Sequence, residues 1–135
     1  MNLRAARLIE SPPDMTIEEA LAIAQKHRIG TLPMVKEGGE LVGISTTTDL
    51  ATLMSQVLGF NKAGVRYLIY DCPAGEKLRS AISIIHAHRG DIQTLFTFCP
   101  PNDPNRVHAV VRTGPDDPTK IVKDLSKLGF NVEIT

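Results

Sequence analysis

Apolar and polar positions alternate along this chain with two different periods, and the change of period marks its elements. Ile17, Ala20, Leu21 and Ala24 follow the i, i+3, i+4, i+7 spacing of one helix face. Thr16 with Glu19 three residues on is a capping box, so a helix starts there. Basic His27 and Arg28 and then Gly30 mark its end. Residues 32–35 and 41–44 are short apolar runs on either side of Glu37-Gly38-Gly39-Glu40, and the glycine pair predicts a hairpin. Pro33 has no N–H to give a ladder, which assigns it to a strand start or an edge. A second helix is predicted over 49–58, with Leu50, Leu53, Met54 and Val57 on one face.

Beyond residue 64 the pattern changes to strand, helix, strand, strand, helix, strand. Strands are predicted at 65–70, 92–98, 107–111 and 131–134, and a helix at 78–88 striped by Leu78, Ala81, Ile82 and Ile85. The last helix opens at Pro118 behind Asp117 as its cap and stops at Gly129. Two strand–helix–strand units around a central hairpin describe a ferredoxin-like βαββαβ sandwich. The fold class expected is α/β of the α+β kind, a helix–hairpin–helix half followed by this sandwich. The seam falls at Gly59-Phe60-Asn61-Lys62-Ala63-Gly64, giving domains at 1–60 and 65–135.

Composition narrows the function. The 135 residues carry 15 Lys+Arg against 15 Asp+Glu, without the basic surplus a nucleic-acid binder usually needs. Residues 1–60 hold five basic and seven acidic side chains, and residues 61–135 hold ten and eight. Aromatics are 4% with no Trp, so stacking platforms for single strands are not expected. A 42% hydrophobic fraction predicts a packed core, and no apolar run approaches the length of a membrane span. The basic N-terminus lacks the apolar stretch of a secretory signal. Cys72 and Cys99 are then reduced thiols of a cytoplasmic protein. Halves this small have marginal cores alone, so association is expected.

In the first half, Thr16-Ile17-Glu18-Glu19-Ala20-Leu21, the Leu-Pro-x-Val of residues 32–35 and the Gly-Ile-x-Thr-x-x-Asp of residues 43–49 come in an order and spacing that resembles a CBS domain. In the second, Asp71-x-Pro73 before a helix, Gly90-Asp91-Ile92 at a strand start and Gly129-Phe130-x-Val132 resemble an ACT domain. The tandem is similar to acetoin-utilisation-type proteins, which place an ACT domain after CBS domains. The resemblance implies a regulatory sensor and no enzyme.

The residues themselves fit a ligand site. Residues 43–49 lie where a strand feeds a helix N-terminus, whose free amides and dipole favour a phosphate. Thr46 and Thr48 add hydroxyls, and Asp49 offers two acceptors suited to a ribose. Thr46-x-x-Asp49 is equally a plain helix cap. The resemblance implies an adenosine nucleotide (AMP, ATP or S-adenosylmethionine), with its adenine against Ile29, Pro33 and Met34. In the ACT-like half it implies an amino-acid site at Asp71, Pro73, Ala74, Gly75, Asp91 and Ile92. The turn at 71–78 is two residues longer than the family pattern, and Asp91 would repel a ligand carboxylate, so a purely structural role weighs more there.

Other chemistry falls away. His86 and His88 are two apart on a helix and cannot share an ion. No paired Cys motif, nucleophile elbow or phosphate loop is present, so neither a metal nor a catalytic residue is expected. Arg4 and Arg7 read as a solvated helix face. CBS motifs work in pairs and this chain holds one, which with the short lead-in at residues 10–14 implies a homodimer or a missing earlier motif. The partners expected are a small nucleotide, further copies of the chain and a regulated enzyme, with neither nucleic acid nor membrane. The rival reading is a ligand-free oligomerisation or docking module.

Overall fold

The structure is a computed structural model that describes residues 14–135. Arg4, Arg7 and most of the lead-in segment lie outside the described residues. The chain divides into two compact units, Met1–Leu58 and Gly59–Thr135.

The first unit runs α1 (Ile17–His27), β1 (Thr31–Val35), β2 (Leu41–Thr46) and α2 (Thr47–Val57). Thr16 Oγ1 accepts from the Glu19 amide at 3.2 Å, and Glu19 Oε2 accepts from the Thr16 amide at 2.9 Å. That closes the capping box the sequence specifies. The far end of α1 differs from expectation. Arg28, and not Gly30, takes the left-handed conformation, at φ 52°, and its amide and that of Ile29 satisfy the carbonyls of Gln25 and Ala24. Closing those two carbonyls offsets the cost, about 1–2 kcal/mol, of a left-handed non-glycine residue.

β1 and β2 pair antiparallel, with Met34 opposite Gly43 and Pro33 opposite Ile44. Gly38 and Gly39 turn the hairpin at φ 106° and 87°. In a two-stranded sheet both strands are edges, which is where proline is tolerated. Ala20, Ala24, Leu32 and Leu50 form the small core, with Met15, Ile17, Leu21, Ile23 and Ile29 around it. The stripe expected on α2 is only partly covered. Leu50 is buried, but Leu53 and Val57 are exposed, as are Leu41, Val42 and Ile44 of β2.

The second unit runs β3 (Val65–Ile69), α3 (Glu76–Ala87), β4 (Ile92–Phe98), β5 (His108–Thr113), α4 (Thr119–Lys127) and β6 (Val132–Ile134). Its sheet has the order β4-β5-β3-β6 and is antiparallel throughout. Tyr67, Ile69, Ala109 and Val111 on the sheet meet Ala81, Ile85, Ile121 and Leu125 on the helices, and Cys72 completes this core. Gly90 permits that closeness, since a Cβ there would stand 2.8 Å from Ile85 Cγ2. His88 Nε2 meets Asp124 Oδ2 at 2.7 Å and links α3 to α4. Pro118 stands in the cap position of α4, one residue later than expected, and Asp117 Oδ1 before it accepts from the Thr119 amide at 3.0 Å.

The 59–64 segment, expected as a linker, is fastened down within this unit. Arg112 Nη2 donates to Lys62 O at 2.7 Å, and Gln93 Nε2 donates to Ala63 O at 3.3 Å. Gly64 lies so close to β5 that a Cβ would fall 2.1 Å from the Thr113 carbonyl oxygen. Among the described residues no helix is long and apolar enough to cross a membrane.

Candidate functional site

In the first unit, Thr46 ends β2 and caps α2. Its extended backbone (φ −99°, ψ 159°) lets Oγ1 accept from the Asp49 amide at 3.0 Å. Asp49 Oδ2 accepts from the Thr46 amide at 2.9 Å. The Thr46 backbone bond first, and its side-chain bond second, hold the Asp49 carboxyl below the usual carboxylate range. The pair is therefore a capping box, and it uses one Asp49 oxygen, leaving Oδ1 outside the box.

Strand pairing brings the apolar segment to this helix end. Thr31 lies opposite Thr46, and the Thr47 amide donates to Gly30 O at 3.0 Å. Ile29 packs against the small core, and Pro33 and Met34 are half-buried on β1. The Met34 ε-methyl lies over Gly43, where a Cβ would be 2.8 Å away, so glycine opposite Met34 is what lets that side chain lie flat. Thr48 is exposed in the first turn of α2, its carbonyl taken by Thr52 Oγ1 at 2.9 Å. The pairing thus sets Gly30 and Thr31 beside the capped N-terminus of α2 and its Asp49 carboxylate, while Pro33 and Met34, as successive strand residues, lie on opposite faces of the hairpin. The amides and dipole of that helix end suit an oxyanion.

The residues singled out in the second unit do not gather in one place. Asp71, Pro73, Ala74 and Gly75 form the turn from β3 to α3. Asp91 and Ile92 stand at the other end of the sheet. Ile92 pairs with Thr113, which pairs with Val65 at the start of β3, whereas Asp71 follows its end. Alternation of strand and helix put both stretches at strand–helix junctions, but α3 runs the length of the sheet between them.

Asp71 is the organised residue of that turn. At φ 50° it accepts a bidentate pair from Arg106 Nε and Nη2, both at 2.6 Å, and its amide donates to His108 Nδ1 at 3.0 Å. The Arg106 side chain, above all its hydrogen bonds, holds the Asp71 carboxyl below the usual range and raises Arg106 in return. Neither Arg106 nor His108 was legible as a partner, because each comes from the far side of β4. Beside the turn opens a cleft of about 610 Å³, lined by Tyr70, Asp71, Lys77, Ser80, Phe130 and Asn131 among others. Two of these come from the α4–β6 turn, which no local motif connects to β3. Cys72 and Cys99 are free thiols, and among the described residues no group of three His, Cys, Asp or Glu could hold a metal.

Residues 8–56 match the family model of the CBS domain, a type that is typically regulatory and nucleotide-binding. The chain is 32% identical over 68 residues to an uncharacterized protein of Methanocaldococcus jannaschii, covering 50% of this chain and 36% of that one. It is 42% identical over 45 residues to an inosine-5'-monophosphate dehydrogenase of Thermoplasma acidophilum, covering 33% and 9%. With the same-named enzyme of Staphylococcus haemolyticus it shares 33% over 79 residues, covering 57% and 16%. The chain thus spans about a third of the first relative and much less of the two dehydrogenases, so the dehydrogenases' activity is not carried over to it. From residue 8 to residue 56 the chain is a CBS domain.

Proposed function

We propose that this chain is a non-enzymatic regulatory protein that senses an adenosine nucleotide of the AMP, ATP or S-adenosylmethionine class through its CBS domain. The second unit serves as an ACT-type partner domain. The observation that carries the reading is the junction of Gly30 with Thr47, which sets the start of the Ile29-to-Met34 segment beside a capped helix N-terminus and the Asp49 carboxylate. The βαββαβ order of the second unit supports the ACT resemblance. The acetoin-utilisation-type likeness makes a regulated enzyme the natural recipient of the signal. Binding shifts packing only if the nucleotide has different affinities for two arrangements of subunits.

Calorimetry of the full chain with AMP, ATP and S-adenosylmethionine tests this. One of the three binds, and Asp49→Ala weakens it by about tenfold or more, the value of one charge-assisted hydrogen bond. No heat from any of them would remove the sensor reading. The ligand-free assembly module would then stand, favoured by the exposed Leu41, Ile44, Leu53 and Val57. Free amino acids belong in the same series, because the cleft at Asp71 offers the Lys77 ammonium beside polar Ser80 and Asn131.

A further inference from the structure

Within the second unit, Arg66 on β3 and Arg112 on β5 lie directly opposite each other. Strand side chains alternate, and Val65, Tyr67, Ile69, Ala109 and Val111 pack toward the helices. Arg66 and Arg112 therefore share the sheet face away from α3 and α4. Like charges directly opposite on neighbouring strands destabilise a sheet unless something neutralises them.

Nothing described in the chain does so. Arg79 has Glu76, and Arg106 has Asp71, but neither Arg66 nor Arg112 makes an ion pair among the described residues. Arg66 Nη1 donates to Thr135 Oγ1 at 2.6 Å, and Arg112 Nη2 donates to Lys62 O at 2.7 Å, both neutral acceptors. Glu133, opposite Leu68 on the same face, is turned to the Tyr70 hydroxyl at 2.6 Å. Arg112 Nε is buried and has no hydrogen-bond partner. A buried donor without a partner is costly, and one on a guanidinium calls for an anionic acceptor. The fork of a guanidinium matches the paired oxygens of a phosphate or a carboxylate.

We propose that Arg66 and Arg112 form an oxyanion site on the second unit, separate from the nucleotide site of the first. It takes a phosphate or carboxylate group. Arg112 Nε supplies the donor and the two guanidinium charges are neutralised. Because Arg112 also fastens Lys62, occupancy bears on the 59–64 segment that precedes β3.

The test is NMR of the arginine side-chain Nε–Hε signals of the full chain, titrated with inorganic phosphate and separately with acetate against chloride at equal ionic strength. The Arg112 and Arg66 signals are expected to move together along one saturating curve with at least one of the two oxyanions. Arg66→Gln, which gives up only the Thr135 contact, should weaken that binding by about tenfold. Arg112→Lys keeps the charge, loses the fork and should weaken it as much. A response to phosphate or to acetate says which oxyanion the site takes. Unmoved Arg112 signals with both, or equal affinity in Arg66→Gln, would overturn the proposal. The readout is local to these arginines, so its failure leaves the nucleotide reading of the first unit standing.

Discussion

The two units bury their apolar side chains to different degrees. In the second, a four-stranded sheet and two helices enclose nine core residues, from Tyr67 to Leu125. In the first, the core cluster among the described residues is Ala20, Ala24, Leu32 and Leu50, and Ile44 and Val57 remain 59% and 60% exposed. A sheet with both helices on one face closes on itself. A two-stranded sheet has too little surface to cover two amphipathic helices. The difference is that apolar side chains of the first unit's described residues stay exposed where the second unit's are enclosed.

The largest effects should come where packing is tightest. Ile85→Ala in the closed core is expected to cost about 2–5 kcal/mol in denaturant unfolding. Gly64→Ala should rival it, since its Cβ would sit against the Thr113 carbonyl and the backbone itself must move. Leu50→Ala in the first unit should fall at or below the low end of that range. If it costs as much as Ile85→Ala, the contrast between the two cores fails.

Next come the two capping boxes, which are chemically alike. Thr16→Ala and Thr46→Ala should each cost about 1 kcal/mol, and serine at either place should restore it. Thr46→Ala should also weaken nucleotide binding while Thr16→Ala does not. Equal effects of the two on calorimetric affinity would reduce Thr46 to a cap.

Acid should test the ion pairs of the second unit, as Asp49 with Thr46 would be tested in the first. Asp71 and Asp124, held below the usual range chiefly by Arg106 and His88, belong to the second unit. A depressed carboxylate stabilises the fold above its unfolded pKa, near 3.9, and that contribution is lost as pH falls through the folded value. Denaturant midpoints at pH 7 and pH 3 should therefore drop less in Asp71→Asn and Asp124→Asn than in the parent chain. A parallel drop would dismiss both pairs as contributors.

The smallest effect on stability carries the clearest statement about assembly. Leu53→Asp and Val57→Asp lie on an exposed face and should change unfolding by no more than about 0.5 kcal/mol. They should nevertheless shift light scattering from dimer to monomer. A parent chain that is already monomeric at tens of micromolar would remove the dimer from the reading.

Much of this architecture was written locally. Thr16 with Glu19, and Thr46 with Asp49, name two helix starts because capping is decided within four residues. The glycine pair at 38 and 39 names the hairpin for the same reason. The end of α1 falls at His27, in the stretch the pattern marks, but Arg28 and not Gly30 takes the left-handed turn there. The α2 stripe showed which face is apolar, but no stripe can say whether anything covers it. Least legible was the second unit's turn. Asp71 finds Arg106 across 35 residues, and Asp91 stands a sheet's length away, facts set by strand order alone.

Cys72 gives the second unit a clock. Its thiol is fully enclosed, and burial pushes it up in pKa while Lys77 opposes the shift, so the reactive thiolate is scarce and screened. Cys99, the other thiol, is exposed. A thiol reagent should therefore mark Cys99 at once and Cys72 only when the unit opens. The slow phase then times that opening, without any engineered label.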